Sequence, residues 1–120
     1  MTGAAKDAID TAREAGERVG LIKVKTFRPF PLQAMAAALG KVNRIGVVDR
    51  SVSFGWNSGP VYQETLAALY RTGKQIPAIS FIGGLAGADI TAEHFARAIA
   101  LTRETQFGRA QEPVWLNEND

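Results

Sequence analysis

Hydrophobic positions along the chain follow two spacings. Ala5, Ala8, Ile9 and Ala12 recur three and four apart, which predicts an amphipathic helix over residues 4–15 that Gly16 is placed to end. In VGLIKVKTF the period drops to two. Ile22 and Val24 alternate with Lys23 and Lys25, so a strand is expected over Leu21–Phe27, with lysines guarding one face. RPFP follows, and Pro29 and Pro31 fix φ and lack a donor, so neither element runs through it. Pro31 opens a second helix with the stripe Leu32, Met35, Ala36 and Leu39, and Gly40 stops it. RIGVV, Arg44–Val48, is nearly continuous in apolar residues, as in a strand covered on both faces. Pro60 begins a third helix with Tyr62, Thr65, Leu66 and Leu69 on one side, ended by Gly73. PAISFI is a second fully apolar strand, followed by the glycine-rich loop GGLAGADI. Thr91 suits an N-cap for a last helix carrying Phe95, Ala98, Ile99 and Thr102 and ending near Gly108. RAQEPVWLNEND remains as an extended tail, so the expected division is a domain over 1–108 and a tail over 109–120.

Strands separated by helices imply right-handed crossovers and a parallel sheet with helices on both faces, an α/β class architecture. The chain starts on a helix, and three strands are few for a sheet covered on both sides.

Composition narrows the chemistry. At 120 residues the chain suits one domain. Net charge is +2 with both signs interspersed, so no basic block points to nucleic acid or an anionic membrane. No apolar run reaches the ~18 residues of a membrane span, and a cytoplasmic protein is expected. The sequence has no cysteine, which removes thiolate nucleophiles, disulfides and cysteine ligation of zinc or iron–sulfur clusters within this chain. Its single histidine, His94, lies at a helix start, where a solvated role is expected, and one imidazole cannot build a multi-histidine metal site.

Both glycine-bearing loops, DRSVSFGWNSGP at Asp49–Pro60 and GGLAGADI at Gly83–Ile90, fall after strands and before helices. That is where open α/β sheets bind ligands and where free N–H groups attract anions. Gly83, Gly84 and Gly87 do not make GxGxxG, however, and neither loop has a P-loop lysine followed by Ser or Thr. Asp89 would repel a phosphate. The glycines are therefore expected mainly to permit tight crossovers, with anion binding and contact with another domain as the alternatives. Gly55 and Trp56 in the first loop, after Phe54, and Trp115 in the tail are candidate contact residues, because an aromatic with a polar tip anchors interfaces. Arg28 and Pro29, in the rigid FRPFP corner, are further candidates: the guanidinium suits a carboxylate clamp or a domain contact. Asp49, with no second carboxylate or histidine nearby, is expected in a salt bridge or loop hydrogen bond rather than in acid–base chemistry.

Taken together, GAAKDAIDTAREAGERVGLIKVKTFRPFP, VVDRSVSFGWNSGPVYQE and SFIGGLAGADIT resemble the alpha subunit of pyruvate:ferredoxin oxidoreductase (pyruvate synthase) and the wider 2-oxoacid:ferredoxin oxidoreductases, from about Gly3 to the last helix. The resemblance implies a domain similar to the transketolase carboxyl-terminal domain, a three-layer α/β/α sandwich around a mostly parallel sheet. It implies a parent enzyme that oxidatively decarboxylates pyruvate with coenzyme A, giving acetyl-CoA, CO2 and reduced ferredoxin. Thiamine diphosphate, Mg2+ and iron–sulfur clusters would be bound elsewhere, with no cofactor and no catalytic residue in this chain. Expected partners are other subunits or domains of that enzyme, or a second copy joined through exposed strand edges. The resemblance also implies an apolar strand ahead of the first helix, lying between Leu21–Phe27 and Ile45–Val48. Its absence suggests a truncated product or fragment whose slot is closed by the flanking strands or filled by another chain. The rival expectation is a standalone module that binds coenzyme A, a nucleotide or an anion at the helix starts near Pro60 and Thr91.

Overall fold

A computed structural model describes residues 2–24, 30–53, 58–106 and 112–118. Among these residues, four helices and three strands follow in the order α1 (Thr2–Glu14), α2 (Leu32–Leu39), β1 (Ile45–Asp49), α3 (Pro60–Thr72), β2 (Ala78–Ile82), α4 (Ala92–Glu104) and β3 (Val114–Trp115). A short 3-10 turn, Leu85–Gly87, lies between β2 and α4. All strand pairs are parallel, in the order β1-β2-β3.

The helix ends obey local chemistry. Gly16 and Gly73 both take left-handed φ, at 89° and 77°. In each case the glycine N–H reaches back three residues and the next N–H five, to Arg13 and Ala12 after α1 and to Tyr70 and Leu69 after α3. These crossed bonds satisfy carbonyls that the helix leaves open.

Alternation along β1 sorts the helices into layers. Gly46 faces α4, because a Cβ there would sit 2.3 Å from Thr102 Oγ1. Asp49, an odd number of residues away, sends its carboxylate to α3. Helices α3 and α4 therefore cover opposite faces. On the α4 side, Ala5 and Ala8 of α1 pack with Phe95 and Ala98 over Ile79 and Phe81, with Ile90 and Leu116 completing the cluster. On the α3 side, Met35, Leu39, Ala68 and Leu69 form a second cluster that Val24 and Ile45 join. The result is the α/β sandwich that the sequence implies.

Three expectations need correction. The described part of the expected first strand, Leu21–Val24, is not in the sheet; Lys25–Phe27 lie outside the described residues. Leu21 and Ile22 are 44% and 43% exposed. Alternating sequence becomes a strand only where a ladder partner stands beside it, and no described strand borders the outer edge of β1. The third strand comes instead from the tail, where Val114–Trp115 pairs with Phe81–Ile82. Helix α4 stops at Glu104, earlier than Gly108, as Thr105 leaves the helical region.

Candidate functional site

The carboxyl end of the sheet gathers every feature that attracts ligands in this architecture: the end of β1, the starts of α3 and α4, and the glycine loop after β2. The chain's own side chains occupy several of the donors there.

Asp49 is 3% exposed and directed at the first turn of α3. Its Oδ1 accepts from Val61 N–H at 2.9 Å and its Oδ2 from Tyr62 N–H at 3.0 Å. The carboxylate thus caps α3 from the neighbouring strand, which is the loop hydrogen bond expected of it. Burial pushes its pKa up from the ordinary 3.8, against the opposing pull of the two amides. Gly59 makes room for it, since a Cβ there would lie 2.1 Å from Asp49 Cγ. Nearby, Gln63 bridges Ser58 and Ser53: its Nε2 donates to Ser58 Oγ at 3.0 Å and its Oε1 accepts from Ser53 Oγ at 3.1 Å.

At α4 the single histidine closes the cap. His94 N–H donates to Thr91 Oγ1, and Thr91 N–H donates to His94 Nδ1 at 2.9 Å. This reciprocal pair works as a capping box with imidazole in place of the usual glutamate.

The glycine loop is held by the tail. Gly84 N–H donates to Asn117 Oδ1 at 2.8 Å, and Asn117 Nδ2 donates to Asp89 C=O at 2.7 Å. Arg50 Nη2 donates to Gly84 C=O at 3.3 Å from the end of β1. Gly83 lets Ile90 and Leu116 close over β2; a Cβ there would be 3.0 Å from Ile90 Cδ1.

Of the residues singled out from sequence, Gly83, Gly84 and the Asp89 carbonyl come together here. Gly87 lies at the exposed end of the 3-10 turn with φ 82°. Trp115 is 39% exposed on β3. Arg28, Pro29, Phe54, Gly55 and Trp56 lie outside the described residues. Sequence reasoning missed Asn117, because nothing local marks an asparagine in a polar tail as the clamp of a loop 33 residues away.

Comparison with known proteins now bears on this geometry. The family model for pyruvate:ferredoxin oxidoreductase core domain II matches residues 1–95. The chain belongs to the 2-oxoacid:ferredoxin oxidoreductase family. It is 63% identical, over its full length, to the alpha subunit of an NADH-dependent phenylglyoxylate dehydrogenase from Aromatoleum evansii, of which the match covers 29%. It is 35% identical over 87% of its length to pyruvate synthase subunit PorA of Methanosarcina barkeri, covering 26% of that protein. A ketoisovalerate oxidoreductase subunit VorA from Pyrococcus horikoshii is 40% identical over 76% of the chain and covered to 23%. The chain thus spans less than a third of each of these relatives.

The residues described restrict what this end of the sheet can hold. Without cysteine there is no thiolate for an iron–sulfur cluster. At α3 the first-turn N–H groups of Val61 and Tyr62 are bonded to Asp49, and at α4 that of His94 is bonded to Thr91. Among the described residues, no three His, Cys, Asp or Glu side chains converge as metal ligands. No described helix is long and apolar enough to cross a membrane.

Proposed function

We propose that this is a non-catalytic assembly domain in the alpha subunit of a cytoplasmic oxidoreductase that decarboxylates a 2-oxoacid with coenzyme A and passes the electrons to ferredoxin. Thiamine diphosphate, Mg2+ and the clusters are held by other domains or subunits. The observation that carries this reading is the self-capped carboxyl end of the sheet. The N–H groups of Val61, Tyr62, His94 and Gly84 at that end are engaged by Asp49, Thr91 and Asn117, whereas among the described residues no strand pairs with one edge of the sheet.

That edge belongs to β1. Ile45 N–H donates to Pro77 and Asp49 C=O accepts from Gly83, so odd-numbered residues of β1 bond to β2. By alternation, Gly46 and Val48 direct their N–H and C=O groups outward. Ile45–Asp49 has no lysine, proline or bulge to blunt the edge. Val24 packs on the cluster containing Ile45, and Leu21 and Ile22 stand exposed just before it. This side is where the apolar strand implied by the family resemblance would insert. The remaining contact candidates, Arg28, Pro29, Phe54, Gly55, Trp56, Gly83, Gly84, Gly87, Asp89 and Trp115, would serve neighbouring domains. A second copy pairing through the same β1 edge is separated from this by sedimentation velocity on the isolated chain.

Two measurements test the proposal. Purified chain supplied with pyruvate, thiamine diphosphate, Mg2+, coenzyme A and ferredoxin is expected to show no turnover. Calorimetric titration with coenzyme A, thiamine diphosphate or nucleotides is expected to show no saturable heat. Turnover would end this reading, and saturable binding that weakens on changes at Gly59 or Gly84 would favour the ligand-binding module instead. For the parent's substrate, the higher identity to the phenylglyoxylate dehydrogenase subunit favours a second reading in which an aryl 2-oxoacid replaces pyruvate. Competing the two acids on the assembled enzyme decides it.

A further inference from the structure

We propose that the tail segment Glu112–Glu118 is a strap that closes over the glycine loop Gly83–Ile90, and that strap and loop open together as one unit while the helix–sheet body stays folded.

The loop cannot hold its own shape. Gly84, Ala86 and Gly87 all take left-handed φ, at 75°, 54° and 82°. Such conformations persist where the surroundings over-determine them, and alanine bears a cost there that glycine does not. The determination comes from outside the loop. A single side chain, Asn117, binds the loop entrance at Gly84 N–H and its exit at Asp89 C=O. Leu116, 2% exposed, fills the space under Ile90, and its N–H donates to Ile82 C=O at 2.8 Å. Lifting the strap therefore removes the Asn117 restraint from both ends of the loop in one event and leaves the Arg50 bond to Gly84 C=O from the body.

The strap is also the weakest of the restraints at this end of the sheet. Its strand is two residues long, against five each for β1 and β2. Asp49 and Thr91 cap their helices from the ends of β1 and α4, within the body, whereas Asn117 reaches in from a tail beyond it. Short edge elements with few ladder bonds open at lower free energy than the core. Opening would uncover the Gly84 donor, the Asp89 acceptor and the apolar seat of Leu116 together, at the end of the sheet where ligands meet α/β folds.

Native-state hydrogen exchange on the full chain tests this. In the unaltered protein, the hydrogen-bonded amides of Gly84 and Ala88 in the loop and of Leu116 and Glu118 in the strap should share one opening rate, faster than β1, β2 and α4. Asn117→Ala should speed both groups by about 5- to 30-fold, the loss of roughly one to two net hydrogen bonds, without changing β1 or α3. Asn117→Asp keeps the acceptor for Gly84 but loses the donor to Asp89, so protection should drop at the loop exit more than at Gly84. Loop exchange that ignores Asn117, separate opening rates for strap and loop, or equal acceleration of every amide would overturn the proposal.

Discussion

Placing one methyl group at Gly59 tests the capping arrangement most directly. The backbone there, at φ −85° and ψ 158°, is open to any residue, so Gly59→Ala carries no conformational penalty of its own. Its entire cost is spatial. The new Cβ would lie 2.1 Å from Asp49 Cγ, 2.2 Å from Oδ2 and 2.3 Å from Cβ. Carbon atoms in contact sit about 3.5–4.0 Å apart, so the carboxylate must retreat by roughly 1.5 Å. Its bonds to Val61 and Tyr62 are 2.9 and 3.0 Å long and do not survive such a shift. Losing an N-cap costs about 0.5–2 kcal/mol, and overpacking about 1–3 kcal/mol. A loss of about 2–4 kcal/mol is expected, or on the order of 8–16 °C in Tm for a domain of this size. Urea unfolding followed by circular dichroism measures it. The decisive arm repeats the change in an Asp49→Gly background, where all three opposing atoms are gone and Gly59→Ala should cost well under about 1 kcal/mol. Equal cost in both backgrounds would refute the argument.

Further outcomes follow from the same geometry. Because the Asp49 pKa is raised on folding, the native chain binds the proton more tightly than the unfolded one. The stability Asp49 contributes is therefore full below 3.8 and is lost as pH rises through the folded value. The stability difference between native protein and Asp49→Asn should accordingly shrink from mildly acid to neutral pH in urea titrations, and a growing difference would contradict this. Gly46→Ala should cost about 1–3 kcal/mol in thermal unfolding, since its Cβ would meet Thr102 Oγ1 at 2.3 Å and Phe81 Cε2 at 2.9 Å. Arg103→Ala removes the ion pair with Glu17, whose side chains are 57% and 30% exposed, and should cost below about 1 kcal/mol and less at high salt. Leu21→Ser with Ile22→Ser should leave the isolated chain within about 0.5 kcal/mol while weakening its association with the rest of the subunit in pull-down assays.

What sequence revealed and what it hid divide along one line. The helices were legible because each carries its own instructions: Ala5, Ala8 and Ala12 at helical spacing, Pro60 at a helix start, and Gly16 and Gly73 at ends. Strands β1 and β2 were legible because burial on both faces makes them continuously apolar. The Leu21–Val24 segment carries strand-like alternation as clear as any in the chain, yet stands outside the sheet, because alternation records a side-chain environment and says nothing of which backbone lies beside it. Val114–Trp115 shows the converse. Two residues cannot display a period, and their pairing is dictated by Leu116 and Asn117 docking on Gly83 and Gly84. Asp49 was recognisable as a hydrogen-bonding group, but its acceptors' partners, 12 and 13 residues on, come from the fold.

The polar groups paired and unpaired among the described residues bear on the assembly role proposed above. At the carboxyl end of the sheet, a buried carboxylate, a threonine–histidine pair and an asparagine engage the N–H groups of Val61, Tyr62, His94 and Gly84. A ligand at Val61, Tyr62 or Gly84 N–H must first displace a side chain held by two hydrogen bonds, at about 0.5–1.5 kcal/mol each. At the β1 edge the situation reverses. Gly46 and Val48 present N–H and C=O groups outward with no described strand to meet them, beside exposed Leu21 and Ile22. Such an edge recognises extended backbone and apolar side chains, the chemistry of another polypeptide segment rather than of a small anion.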